Sequence, residues 1–275
     1  MIKEISEKIK YITSGENPLS SDVILIDGDR ATWVFDVGAN DEAFEAIQQL
    51  IALSLLGDNS ILKNELIQEG MTNTENVSLS DNISTPDSDS GQGKDVNIVI
   101  SHFHRDHMGN LERIAKIPTT GKCVNLYVSS YTYKHCKTGI IVDEEITIDD
   151  GVKIRIFPME SSHSKGCLCL AVNDEVAFIG DAIYPAYKAI DDNSGKMDAC
   201  VDKFDNRKDY RKQQKVYNVQ HMKSQIEKLK SLDVKKVFLA HEKNPLVRKE
   251  IIVVFLERIY KKREADNPYI IQSEM

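Results

Sequence analysis

The stretch SHFHRDHMGN, residues 101–110, carries four candidate metal ligands within six positions: His102, His104, Asp106 and His107. It follows the apolar run NIVIS, which predicts a strand that ends at the edge of a sheet. In an extended loop, residues two apart point the same way, so the first two histidines can bind one ion. The other two ligands, at a helix start, turn toward a second. This donor set suits zinc, and would also accept iron or manganese.

Chance is a poor explanation for this cluster. The chain has only seven histidines in 275 residues, and three of them fall within six positions beside an aspartate. Two other histidines, His135 and His221, have no spacing that indicates a role in binding metal. The local pattern therefore predicts a metal site.

The sequence on the N-terminal side of this cluster alternates short strands with a helix. Residues 22–26 and 32–37 are β-branched runs around a turn, which predict a hairpin that ends at Asp36. Asn40 can cap a helix over residues 41–56, where apolar residues recur at three- and four-residue spacing. Residues 71–95 are rich in Ser, Asn, Thr and Asp and predict a disordered insertion.

Further strands and helices are predicted on the C-terminal side. Strands are expected at residues 124–129, 153–157, 167–172, 176–179 and 235–240, and helices at 216–232 and 245–262. Strands thus occur toward both ends of the chain, each followed by a helix. This order predicts an α/β fold: a four-layer αββα sandwich of two mixed β-sheets flanked by helices, in one domain over residues 1–275.

Composition narrows the class of protein. Hydrophobic residues make up 41% and charged residues 28%, and 35 basic residues against 43 acidic ones give a net charge of −8. These values are typical of a globular protein and argue only weakly against nucleic-acid binding. The start MIKEISEKIK lacks the apolar region of a secretory signal, and no run of about 20 apolar residues could span a bilayer. Five cysteines without a CxxC pair favour a reducing compartment, so we expect a cytoplasmic protein without a membrane partner.

The pattern H-x-H-x-D-H at residues 102–107 resembles the signature of the metallo-β-lactamase superfamily. Four further positions resemble its other motifs in the same order: Asp36 in VFDVG, His163 in SSHSKG, Asp181 in FIGDA and His241 in FLAHEK. The resemblance extends over residues 36 to 241. It implies the αββα fold and a metal-dependent hydrolase.

The resemblance also implies a role for each motif residue. The first ion would be held by His102, His104 and His163, and the second by Asp106, His107 and His241, with Asp181 between the two. Asp36 would orient the ligand loop. Two ions, zinc in the first instance, lie ~3.5–4 Å apart in such sites and lower the pKa of a bridging water, which becomes a hydroxide nucleophile at neutral pH. Asp106 and Asp181 are therefore candidate catalytic residues.

The substrate is less well determined, because the superfamily acts on many bonds. His107 and Asp181 resemble the glyoxalase II, lactonase and ribonuclease Z branches rather than the true β-lactamases. In the lactonase-like branch a tyrosine at the position of Tyr184 contacts the substrate, so this candidate catalytic residue either donates a hydrogen bond to developing charge or packs before Pro185. Lys165 and Lys243 either contact an anionic substrate or are simply solvated.

A basic region favours a second class of substrate. Residues 203–263 contain 18 Lys and Arg against 7 Asp and Glu, and residues 203–215 could form a basic lid over the metals or a solvated surface. The leading hypothesis is hydrolysis of an ester, lactone or thioester in a small molecule. The alternatives are a phosphodiesterase or nuclease, for which nucleic acid would be the partner, and a mononuclear iron oxygenase of the sulfur-handling type.

Overall fold

A computed structural model describes residues 2–56, 93–117, 123–183, 215–242 and 244–272. Two sheets account for most of the strands. The first has seven strands in the order β1-β2-β5-β6-β7-β8-β9, and the second has six in the order β10-β11-β12-β13-β15-β16. Strands β6 to β9 run parallel, as do β13 and β15, whereas the other pairs are antiparallel. Both sheets are mixed, as predicted.

The strands of the first sheet are β1 (Ile2–Ser6), β2 (Ile9–Ile12), β5 (Val23–Asp27), β6 (Ala31–Phe35), β7 (Asp95–Val99), β8 (Val124–Val128) and β9 (Ile140–Ile141). Those of the second are β10 (Ile146–Asp149), β11 (Lys153–Met159), β12 (Cys167–Val172), β13 (Val176–Phe178), β15 (Lys236–Phe238) and β16 (Leu246–Arg248). Two small pairs complete the strands: β3 (Gly15–Glu16) with β4 (Leu19–Ser20), and β14 (Lys215–Asn218) with β17 (Tyr269–Gln272).

The helices of the described residues cover the outer faces. They are α1 (Asp41–Leu56), α2 (Arg105–Met108), α3 (Leu111–Ile114), α4 (Ser130–Cys136), α5 (Val219–Ser231) and α6 (Lys249–Tyr260). Helix α1 has the predicted bounds, and the side chain of Asn40 accepts the Ala43 amide as its cap.

Strand alternation divides the core into three layers of apolar contact. In β6, Trp33 and Phe35 pack between the sheets, whereas Val34 packs on the opposite side toward α1. In β12, Leu168 and Leu170 pack between the sheets, and the intervening cysteines face α5 and α6. Helices, sheet, sheet and helices therefore form the predicted αββα sandwich.

Three predicted boundaries were wrong. Residues 216–218 and 246–248, predicted as helix, belong to β14 and β16, because each pairs with another strand. The last three residues of the predicted insertion, 93–95, are placed in the structure: Lys94 forms an ion pair with Asp27 at 2.6 Å, and Asp95 begins β7. Residues 71–92 and 203–214 lie outside the described residues, so the insertion and the basic lid stay predictions. No helix in the described ranges has the length and apolarity needed to cross a membrane.

Candidate metal centre

The predicted ligands come together at one edge of the sandwich. Strands β6 and β7 are parallel and end there, and the loops beside β12, β13 and β15 reach the same edge. The Leu168 amide donates to the Ser101 carbonyl at 2.7 Å, which joins the two sheets at this point. The sequence 102–107 is extended at His104 and then enters α2. The topology thus places loops that are distant in sequence around one cleft.

A first donor group consists of three imidazoles. His104 Nδ1 lies 3.0 Å from His102 Nε2 and 2.8 Å from His163 Nε2. The prediction that His102 and His104 point the same way agrees with this geometry. Burial is the largest influence on the pKa of each of these histidines and lowers it. Neutral imidazoles keep a lone pair that can bind a metal ion.

A second donor group combines two carboxylates with two imidazoles. His241 Nε2 lies 3.1 Å from Asp106 Oδ2, and His107 Nε2 lies 3.6 Å from the same oxygen. Asp181 Oδ2 is 3.4 Å from His107 Nε2, and Asp181 Oδ1 is 3.8 Å from His241 Nε2. All four side chains that sequence analysis assigned to this group therefore converge.

Asp181 lies between the two groups. Its Oδ2 is 3.5 Å from His163 Nε2 of the first group and 3.4 Å from His107 Nε2 of the second. Only 8% of its side chain is exposed. One carboxylate can therefore serve both groups.

The donor atoms fit metal coordination. Tetrahedral zinc with nitrogen or oxygen at ~2.0–2.1 Å holds its ligand atoms roughly 3.3 Å apart. The separations within the two groups, from 2.8 to 3.8 Å, bracket that value. Imidazole and carboxylate donors suit zinc and iron alike. The site is thus two adjoining groups that could each hold a metal ion.

Asp36 orients the histidines through hydrogen bonds. Its carboxylate accepts from the Ser101 amide at 2.7 Å, from Ser101 Oγ at 2.8 Å and from His107 Nδ1 at 2.7 Å. Since the Ser101 hydroxyl gives its proton to Asp36, its contact of 3.0 Å with His102 Nδ1 is one in which the histidine donates. Both imidazoles therefore turn Nε2 toward the donor groups.

The charges of the second group stabilise one another. Burial alone would lower the pKa of His107, but the adjacent carboxylates of Asp36 and Asp181 outweigh it and raise that pKa well above its ordinary value. Burial would likewise raise the pKa of Asp181, and the positive charge of His107 lowers it instead. Without a metal ion, the His107 imidazole is therefore protonated and the Asp181 carboxylate is ionised, and the two charges attract each other.

Sequence reasoning missed a hydrogen-bonded link between the loops of His163 and Asp181. Ser161 Oγ donates to the Ala182 carbonyl at 2.8 Å and accepts from the His163 amide at 3.0 Å. The buried amide of Gln225 on α5 donates to the same carbonyl. No local pattern marks Ser161 or Gln225, because their partners are distant in sequence.

The remaining candidates are less central. Lys165 is exposed, and Tyr184 and Lys243 lie outside the described residues. His135, to which the sequence assigned no role, stacks on Phe103 with ring centroids 4.1 Å apart. The rings of Phe103 and His104 form an edge-to-face contact with their centroids 4.6 Å apart. An aromatic cluster thus adjoins the first donor group.

Comparison with known proteins identifies the family. The sequence profile of the metallo-beta-lactamase superfamily matches residues 17–241, so the chain belongs to this superfamily. Its members bind metal ions and are mostly metal-dependent hydrolases. A search of curated proteins finds no match.

Solved structures show the same fold at low sequence identity. A metallo-beta-lactamase from Pontibacter korlensis is 13% identical, with a TM-score of 0.55 over 96% of this chain and 99% of that one. The DIM-1 metallo-beta-lactamase is 14% identical, with a TM-score of 0.57 over 95% and 96%. The chemotaxis sensor ODP, described with a peroxy diiron species, is 14% identical, with a TM-score of 0.54 over 94% and 93%.

We expect Ser161→Ala to weaken metal binding about 10-fold, because residues that orient ligands typically contribute 10- to 100-fold. The substitution removes the hydroxyl that links the His163 amide to the Ala182 carbonyl. Zinc affinity is measured by competition with a chromophoric chelator. The control is Ser231→Ala, which removes an exposed hydroxyl bonded to Lys228. Equal affinity of the two variants would contradict the prediction.

We expect zinc binding to release protons from chelator-treated protein. The raised pKa of His107 keeps its imidazole protonated at neutral pH, and a ligand nitrogen must lose that proton. Affinity should therefore rise with pH until the pH passes the raised pKa of His107. Calorimetry in buffers of different ionisation enthalpy measures the release. A binding enthalpy that is the same in all buffers would refute it.

Proposed function

We propose that the protein is a binuclear metal-dependent hydrolase that cleaves an ester, lactone or thioester bond in a small molecule. The observation that carries this proposal is the position of the Asp181 carboxylate, within 3.5 Å of an imidazole nitrogen from each donor group. A carboxylate so placed would contribute a ligand oxygen to each of two ions, and a pair of ions supplies the activated water that hydrolysis requires. Zinc is the proposed metal.

The bound ions would lower the pKa of a shared water and polarise the bond under attack. The chain's own residues hold the geometry. Asp36 and Ser101 keep Nε2 of His102 and His107 facing the donor groups. Asp106 is 18% exposed, more than Asp181, so it is the carboxylate better placed to accept a proton on an oxygen from the attacking water.

Tyr184 is the proposed substrate contact. It follows Ile183, the last residue described before a gap, and stands three positions after Asp181. Its phenol would donate a hydrogen bond to the substrate carbonyl or the leaving oxygen. Lys165, which is exposed, and Lys243 are proposed to attract an anionic group of the substrate.

A phosphodiesterase or nuclease using the same ions is the alternative. The excess of basic residues after position 203 favours it. Against it, the lysines of α5 are paired with acids: Lys223 with Glu227, Lys228 with Glu145, and Lys230 with Glu257. Paired lysines attract phosphate less strongly, so the lysines of α5 add little to the binding of a phosphodiester.

Iron is the alternative metal. The solved structures with the same fold include the ODP sensor, described with a diiron species, and a flavo di-iron protein from Thermotoga maritima. Seven donors from histidine and aspartate would accept iron as well as zinc. Elemental analysis of protein purified without added metal distinguishes iron from zinc. Iron as the main metal would favour an oxygenase over the hydrolase. A single iron per chain would favour the mononuclear type of oxygenase.

We expect the zinc-loaded protein to hydrolyse p-nitrophenyl acetate or a homoserine lactone faster than bis-p-nitrophenyl phosphate or single-stranded nucleic acid. Each lysine of α5 is paired with an acid and therefore contributes little attraction for a phosphodiester. Release of p-nitrophenol and of acid measures the rates. Phosphodiester cleavage without ester cleavage would exclude the proposed substrate class.

The same assays test the shared carboxylate. Asp181→Ala and His104→Ala should abolish hydrolysis and lower the metal content, because each removes a metal donor. Both variants should keep the circular dichroism spectrum of the wild-type protein, because neither removes a side chain of the apolar core. Asp233→Ala, which changes an exposed aspartate, is the matched control and should retain full activity. Turnover retained by Asp181→Ala would refute the binuclear mechanism.

A further inference from the structure

Two adjacent residues that directly precede β5 form hydrogen bonds with the backbone of the second donor group. The Ser21 amide donates to the Asp106 carbonyl at 2.8 Å. The Asp22 carboxylate accepts from the His241 amide at 2.9 Å. Asp106 and His241 are the two side chains whose ligand atoms approach to 3.1 Å. We call residues 21 and 22 the Ser21–Asp22 clamp.

The backbone of His241 needs such a partner. Its φ of 66° lies in the left-handed region, which side chains other than glycine rarely adopt and which persists only where surrounding contacts hold it. His241 is also 219 residues from Asp22 in sequence, so the hydrogen bond joins opposite ends of the chain. Without it, the imidazole would lose its fixed position relative to Asp106.

Asp22 acts on the site without facing it. Only 3% of the residue is exposed. Its Oδ1 accepts from the Ser14 amide at 2.8 Å and its Oδ2 from the His241 amide, so both oxygens are used by backbone donors. No hydrogen bond among the described residues joins Asp22 to the first donor group. Its influence should therefore be confined to the second.

We propose that Asp22 is a positioning residue that sets the affinity of the second donor group for its ion through the backbone of His241. This inference rests on the proposed function, because it requires that both groups bind metal. A change at Asp22 would therefore alter metal binding by the second donor group without altering metal binding by the first. It is a residue that neither the ligand motif nor its spacing identifies.

The chain offers a matched control in Asp150. This carboxylate is also 3% exposed and also accepts two backbone amides, those of Arg30 at 2.8 Å and Ala31 at 3.1 Å. Asp150 directly follows β10 and binds the start of β6, whereas Asp36 and the donor groups lie beyond the end of β6. Replacing Asp150 therefore disturbs a similar buried carboxylate far from the ligands.

The test compares Asp22→Asn with Asp150→Asn by titrating chelator-treated full-length protein with zinc against a chromophoric chelator. We expect Asp22→Asn to weaken the second zinc constant about 10- to 100-fold and to leave the first unchanged. Asp150→Asn should lower Tm with both constants unchanged. Asp22→Ser, whose side chain has a single acceptor oxygen, should also weaken the second zinc constant. It replaces Asp22→Asn in the test if Asp22→Asn does not fold. An unchanged second constant, or equal weakening of both, would overturn the inference.

A double-mutant cycle separates positioning from a general loss of stability. The variants His163→Ala and His241→Ala assign the two zinc constants to their groups. In the His241→Ala background, Asp22→Asn should weaken zinc binding no further, because the side chain it positions is gone. An additive loss would contradict this. Wild-type protein that binds fewer than two ions would overturn the proposed function and this inference together, whereas two ions bound with constants insensitive to Asp22 would overturn the inference alone.

Discussion

The buried carboxylate of Asp36 is the interaction on which the candidate site depends. It is 1% exposed, and a carboxylate removed from water is costly unless hydrogen bonds and a positive charge compensate it. The backbone and hydroxyl of Ser101 and the imidazole of His107 supply both. Removal of one partner from such a buried pair typically costs about 3–5 kcal/mol. The ligand loop and the strand that precedes it are therefore held in one arrangement, and the two Nε2 atoms that face the cleft are a consequence.

Left-handed backbone conformations occur at three positions around the candidate site. Asp36 and His241 have φ values of 59° and 66°, and Gly180, next to Asp181, has 50°. A side chain at Gly180 would approach Ser101 Oγ to 2.8 Å, so the close contact between the β13 loop and the ligand loop requires glycine. Each turn directs a polar group into the cleft rather than along its strand. The hydrogen bonds of Asp36 and Asp22 stabilise these conformations, and the rigid sheets behind them limit relaxation.

Much of the fold could be predicted because its signals are local. Apolar spacing and the Asn40 cap define α1, and alternation defines strands such as β12. Predictions were wrong where pairing decided the conformation: residues 215–218 form β14 because β17, more than fifty positions later, supplies its partner. The strands β1 and β2 were likewise not predicted, because lysine and glutamate interrupt their apolar residues, and β2 is fully buried only once it pairs with β1 and β5.

The sequence by itself determined the superfamily and the donor set, since the spacing H-x-H-x-D-H and the four later motifs are properties of the linear chain. Only the tertiary structure showed that these donors converge, with Asp181 Oδ2 within 3.5 Å of an imidazole nitrogen of each group. It alone also identified Ser161, Gln225 and Asp22, whose partners are contributed by other segments. The physical reason is that ligand chemistry belongs to individual side chains, whereas the hydrogen bonds that orient them form only when folding brings distant residues together.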